Sequence, residues 1–196
     1  MAQDDRTLKF YGQEAIAYTS RCLKPNLTYI EAFLSALPVG SVILELGCGA
    51  GQDSEFMISR GFDVRPTDGT FEIARAAEKR LGIPVANLLF ADMNEEGAYD
   101  GIWAHACLLH VPRADLPGVL AKIRTALKDG GLFYASFKAG ETEGRDRFDR
   151  YYNYPSERSL REWYMAAGWA EVEISAEIGG GYDQMPTDWL HVTATK

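Results

Sequence analysis

From residue 42 onward, apolar and polar positions along the 196-residue chain alternate between two rhythms. Val42 to Leu46 is nearly all apolar, as expected for a central parallel strand covered on both faces. Residues 52–60 then predict a helix, ended at Gly61 as a C-terminal cap would end it. Residues 62–68 read as a second strand, 70–81 as a helix closed by Gly82, and 85–90 as a third strand with a loop over 91–94. A fourth strand is expected over 99–104 and a helix over 113–127. Gly130 and Gly131 turn into a fifth strand at 132–137. Strands alternating with helices over 42–137 argue for a parallel α/β sheet.

The flanks follow other patterns. Residues 15–18 and 29–37 have helical spacing, separated near Pro25, and Ile30, Phe33, Leu34 and Leu37 make a core-facing stripe. Residues 38–41 turn into the first strand. Residues 138–154 break the rhythm with many charges and three tyrosines, and a long connection in a compact domain is usually functional or mobile. Residues 155–168 predict a helix with Ser156 as N-cap, Ser159 as the alternative, and Gly168 as the stop. Two strands, 170–178 and 189–195, close the chain, with 179–181 expected as a flexible glycine link.

Composition narrows the class. An apolar fraction of 46% with 24% charged residues is that of an ordinary globular protein, most simply one domain. The net charge of −8, with no basic run, disfavours nucleic acid as a partner. Cys22, Cys48 and Cys107 are odd in number and have no metal-ligand spacing, so no metal is expected and a reduced, cytoplasmic location is the simple reading. No apolar run approaches a membrane span, and the first residues do not form a signal peptide. The pattern leaves the oligomeric state open.

The candidate chemistry starts where the first strand ends. Gly47, Gly49 and Gly51 fall at alternate positions. Glycine tolerates positive φ and lets a ligand lie against the backbone, while the following helix offers free N–H groups. A dinucleotide fingerprint needs a third glycine at the position of Gln52. Asp68 ends the second strand about 20 residues on, where a carboxylate can accept both hydroxyls of a ribose. Asp68-Gly69-Thr70 equally suits the cap of the next helix. Asp92 ends the third strand beside Met93, which can lie on a ring face. The run 100–112 places small residues at the end of the fourth strand and His110 one turn further. That histidine can serve as a base or pack under the following loop. Arg145, Arg147, Arg150, Tyr151, Tyr152 and Tyr154 can line a pocket for an anionic or aromatic molecule, or form a solvated loop.

Glu45-Leu46-Gly47-Cys48-Gly49-Ala50-Gly51 closely resembles the first motif of the class I S-adenosylmethionine (SAM) dependent methyltransferases, small-molecule type. The stretch 100–112, ending Leu109-His110-Val111-Pro112, resembles their fourth-strand motif. Residues 10–18, with Tyr11 and Tyr18, resemble the start of many relatives, where this segment lids the cofactor and a tyrosine or Arg21 reaches its carboxylate; an amphipathic helix packing on the sheet reads equally well. The resemblance covers roughly residues 10–137. It implies a Rossmann-like sheet of seven mostly parallel strands, with one antiparallel strand near the C-terminus and helices on both faces. It implies a single domain over 1–196, with an N-terminal helical lid over 1–37 and a substrate-side insertion over 138–155. Its cofactor set is Tyr11, Tyr18, Arg21, Glu45, Gly47, Cys48, Gly49, Gly51, Asp53, Asp68, Gly69, Asp92, Met93, Ala104 and His105. In the family an Asp at the place of Asp92 accepts the adenine amine. His110 and Tyr151 are the catalytic candidates, and a small molecule is the expected methyl acceptor. Two other readings stand beside it. An NAD(P)-dependent oxidoreductase is weakened by the missing glycine and the lack of a Tyr-x-x-x-Lys pair. A SAM-binding protein without catalysis is compatible with the same motifs.

Overall fold

The computed structural model describes residues 2–21, 24–182 and 185–196, so Cys22 lies outside the described residues. Three helices come first: α1 (Asp5–Gln13), α2 (Ala15–Thr19) and α3 (Leu27–Ser35). The alternating part follows as β1 (Val42–Leu46), α4 (Gln52–Ser59), β2 (Asp63–Asp68), α5 (Phe71–Leu81), β3 (Ala86–Asn87), β4 (Tyr99–Ala104), α6 (Leu116–Ala126) and β5 (Leu127–Lys138). The chain ends with β6 (Gly144–Arg145), β7 (Tyr151–Tyr152), α7 (Glu157–Ala166), β8 (Val172–Gly180) and β9 (Pro186–Thr195).

Seven strands form one sheet in the order β3-β2-β1-β4-β5-β9-β8. Pairing is parallel from β3 to β5, and β9 runs antiparallel to both of its neighbours. The order reverses between β1 and β4, so a crevice opens at their carboxyl ends, where ligands bind in such sheets. Alternate residues serve opposite faces. Leu44, Leu46, Ile102, Ala104 and Phe133 join the core built on α6 and α7. Ile43, Trp103 and Tyr134 join the core under α3 and α4, with Phe33 and Met57. Both faces are covered, which is why these strands read as near-continuous apolar runs. Among the described residues no helix is long and apolar enough to cross a membrane.

The structure departs from the sequence pattern at several places. The expected third strand over 85–90 shrinks to Ala86–Asn87, because it borders only β2; the chain then makes a 3-10 turn over Phe90–Asp92. The helix expected from 113 begins at Leu116, after Pro112 accepts the N–H groups of Asp115 and Leu116. Lys128 to Gly131 belong inside β5 as an irregular bulge, with Gly130 at φ +77°. Gly179 and Gly180 are not a flexible link: they pair with Thr187 and Pro186 as the end of β8. Residues 138–154 contain the small hairpin β6–β7. Within 1–37, α1 and α2 lie over the crevice, against α5, whereas α3 packs under the sheet through Ile30, Phe33 and Leu34.

Candidate functional site

The glycine turn is a left-handed hinge. Gly47, Gly49 and Gly51 have φ of +65°, +55° and +81°. A Cβ on Gly47 would stand 2.5 Å from the Cβ of Cys107, and one on Gly49 would stand 3.3 Å from the Tyr18 ring. The turn is tied to β2: Cys48 N–H donates to Thr67 O at 2.8 Å, and Gly49 N–H donates to Asp68 Oδ2 at 3.1 Å. Asp68 Oδ1 also accepts Thr70 N–H at 2.8 Å. Burial pushes the Asp68 carboxyl up to about 6, with these N–H bonds pulling the other way.

Two cavities meet over this turn. The smaller, about 90 Å³, is walled by Leu8, Ile73, Leu88, Leu89 and Phe90, with Asp68 and Gly69 at its floor. The larger, about 580 Å³, carries the polar groups of Arg21, Glu45, Gln52, Asp53, His105 and Arg150. Tyr11, Tyr18, Gly47, Gly49, Ala106 and His110 line both and form the waist between them.

A hydrogen-bonded chain crosses the waist. His110 Nδ1 lies 2.6 Å from Tyr151 O, which can only accept, so Nδ1 carries the proton. Its Nε2 therefore accepts the Tyr11 hydroxyl at 2.9 Å, and Tyr11 in turn accepts Arg150 Nη1 at 3.0 Å. Burial pushes His110 down to about 3 and Tyr11 up to about 12. Arg150 is 2% exposed, donates Nε and Nη2 to Asp146 Oδ2 at 3.0 and 2.6 Å, and sits over the rings of Phe10, Tyr11, Phe148, Tyr152 and Tyr182.

Deeper in the larger cavity, Glu45 accepts the Ser54 hydroxyl. Burial and the Asp53 charge push the Glu45 carboxyl well above the usual range. Two acceptors there, Gln52 Oε1 and Asp53 Oδ1, are buried and have no hydrogen-bond partner among the described residues.

A family model described as a methyltransferase domain matches residues 18–174. The chain belongs to that family. A SAM-dependent methyltransferase from Methanosarcina mazei superposes with a TM-score of 0.77 at 16% identity, over 89% of this chain and 99% of that one. The 1,6-didemethyltoxoflavin-N1-methyltransferase of Burkholderia thailandensis, solved with 1,6-didemethyltoxoflavin and S-adenosylhomocysteine, superposes with a TM-score of 0.75 at 22% identity, over 96% and 84%. A trans-aconitate 2-methyltransferase of Variovorax paradoxus (strain S110) is 27% identical over 161 residues, 75% of this chain but only 56% of that protein. The chain thus spans little more than half of that curated relative.

The methyltransferase domain brings together most of the residues expected from sequence. Tyr11, Tyr18, Gly47 and Gly49 stand at the waist, Asp68 and Gly69 in the smaller cavity, and Arg21, Glu45, Cys48, Asp53 and His105 in the larger. Gly51 lies behind the turn as the N-cap of α4, and Ala104 is fully buried beneath it. Asp92 is exposed and Met93 is 1% exposed within the α6-side core, and neither lines either of these two cavities; Leu88, Leu89 and Phe90 line the smaller one there. Tyr151 points away, donating its hydroxyl to Glu143 at 2.7 Å. Arg150 is not part of a solvated loop but buried, unlike Arg145, which pairs with Asp4. Lys138, Tyr182, Trp189 and His191 complete the larger cavity. They come from β5, β8–β9 and their turn, and no local pattern marks them.

Proposed function

We propose that this methyltransferase domain moves a methyl group from SAM to a small-molecule acceptor. The observation that carries the reading is the left-handed glycine turn facing Asp68 between two joined cavities of unlike character. Each part of SAM has a matching group. The apolar slot of Leu88, Leu89 and Phe90 suits adenine, and the Asp68 carboxylate suits the ribose hydroxyls. The orphan acceptors Gln52 Oε1 and Asp53 Oδ1 suit an ammonium, and Arg21 suits a carboxylate. A side chain on Gly47 or Gly49 would fill the waist that the ligand must cross.

SAM, when bound, supplies a methyl group already activated by its sulfonium. The protein's work is then alignment and exclusion of water. Tyr11 and Tyr18 close the waist from above, and the Arg150–Asp146 pair holds Tyr11 in place. Lys138, Tyr152 and Trp189 give the acceptor side of the larger cavity cationic and aromatic walls, which favour a planar or anionic small molecule. A reduced, cytoplasmic setting belongs to the same proposal, since Cys48 and Cys107 are buried free thiols.

Calorimetry with SAM, S-adenosylhomocysteine and NAD tests the cofactor. Heat with NAD and none with the adenosyl ligands would overturn the reading. Incubation with methyl-labelled SAM and a metabolite panel tests the reaction. Binding without transfer to any panel member would favour a SAM-binding protein that does no chemistry.

A further inference from the structure

All three histidines of the chain line the larger cavity. Two of them have both ring nitrogens engaged or shielded. His110 is held between Tyr151 O and the Tyr11 hydroxyl. His191 is 5% exposed, has Nδ1 2.7 Å from the Tyr134 hydroxyl and Nε2 3.6 Å from Glu177, and lies under the Tyr29 ring at 3.7 Å. Burial pushes it down to about 4.

His105 differs. Its Nδ1 lies 3.2 Å from Asp53 Oδ2, and among the described residues nothing hydrogen-bonds to its Nε2. The same Asp53 oxygen takes the Trp103 indole N–H at 2.9 Å. An indole N–H only donates, so this oxygen is an acceptor and His105 Nδ1 is the protonated nitrogen. The Nε2 lone pair is left for the cavity. The backbone enforces the pose: β4 ends at Ala104, and Ala106 adopts φ +54°, a left-handed conformation that costs energy for a residue with a Cβ. Ala106 N–H is anchored on Ser136 Oγ at 2.8 Å. Asp53 is 4% exposed; burial works against its charge, yet the His105 and Trp103 bonds hold its carboxyl below the usual range.

We propose that His105 is the general base of the methyl transfer, taking the proton of an O–H, N–H or S–H acceptor, and that Asp53 is its positioning residue. The inference rests on the methyl-transfer reading. The acceptor's lone pair forms the new bond to the methyl carbon as the carbon–sulfur bond breaks, and that bonding pair stays on sulfur as a neutral thioether. The acceptor's proton passes to His105 Nε2, and the resulting imidazolium is paired with the Asp53 carboxylate. Acceptors with no proton to lose, such as thioethers and tertiary amines, fall outside the class. The groups facing His105 are Asp53 of α4, Trp103 of β4, Tyr134 of β5 and His191 of β9, with Glu45 of β1 and Glu177 of β8 behind them.

Three measurements on the full chain test this. Calorimetry with S-adenosylhomocysteine should give dissociation constants for wild type and His105→Asn within about threefold of each other. A loss above tenfold in the variant would make His105 a cofactor ligand and overturn the proposal, whereas no binding by wild type would overturn the methyltransferase reading itself. Long-range ¹⁵N–¹H NMR of the histidine rings, assigned with the three single His→Asn variants, should show His105 as the Nδ1–H tautomer. Asp53→Asn should shift the ring toward the Nε2–H tautomer. A His105 ring in the Nε2–H tautomer, or one whose tautomer ignores Asp53→Asn, would sink the assignment. With any acceptor that wild type methylates, His105→Asn should lower kcat about 100-fold or more while the KM for SAM holds. Undiminished kcat would refute it.

Discussion

Gly49 donates its backbone N–H to Asp68 Oδ2 at 3.1 Å, so the glycine turn after β1 and the acidic tip of β2 are one unit. Burial in this unit raises the Asp68 carboxyl to about 6. An acceptor of ribose hydroxyls works best ionised. The affinity for S-adenosylhomocysteine should therefore hold above pH 7 and fall about tenfold per unit as the pH drops below 6. Titration calorimetry from pH 8 to pH 5 reads this directly. Asp68→Asn should bind weakly and without that pH dependence.

The glycine turn separates two costs of adding a side chain. Gly47 (φ +65°) and Gly82 (φ +69°) share a left-handed backbone, but only Gly47 is crowded, with Cys107 Cβ 2.5 Å from the added carbon. Gly82→Ala should cost about 1 kcal/mol, the conformational term alone. Gly47→Ala should cost roughly 2–4 kcal/mol, because the overpacking adds to it. Urea melts of both variants measure the difference, and equal losses would mean that Cys107 moves aside freely.

What the sequence could show was local. The apolar run of β1 and the alternate glycines carry their meaning within ten residues, and all three glycines adopt the positive φ their spacing predicted. Helix α1 gave no such signal, since Thr7 is its only buried residue and it docks through polar contacts, Asp4 with Arg145 and Thr7 with the Tyr151 amide. Met93 followed a motif but fell on the core side of its turn, where its carbonyl also receives Lys122 Nζ. The burial of Arg150 depends on five rings from distant segments, from Phe10 to Tyr182, so its neighbours in sequence say nothing of it. His105 was visible as a position, but its partner Asp53 lies 52 residues away in the chain.

Arg150 makes the strongest case for a long-range structural role. Its guanidinium is buried, forked onto Asp146 and bonded to Tyr11. Arg150→Met would leave Asp146 without its cation and should destabilise the fold by about 3 kcal/mol. Arg150→Lys keeps the charge but not the planar fork, so it should cost less while still freeing the Tyr11 hydroxyl. Chemical denaturation ranks the two. If Arg150→Lys matched wild type, charge rather than geometry would explain the residue.

The acid limb of the stability curve reports the buried rings. The folded values of His110, about 3, and His191, about 4, lie below the ordinary 6.5, so unfolding takes up protons between those values and 6.5. Stability from both is present near neutrality and is lost as the pH falls. Asp68 acts with the opposite sign: its folded value of about 6 exceeds the ordinary 3.8, so the folded state gains from acid across that window. Near pH 5 the three nearly balance to one proton taken up on unfolding, a slope of about 1.4 kcal/mol per pH unit. His110→Asn removes one of the two histidine contributions and should flatten this limb between pH 6 and 4.5, whatever it costs at neutrality. Urea midpoints across that range measure the slope, and an unchanged slope would mean that His110 is already protonated in the folded chain.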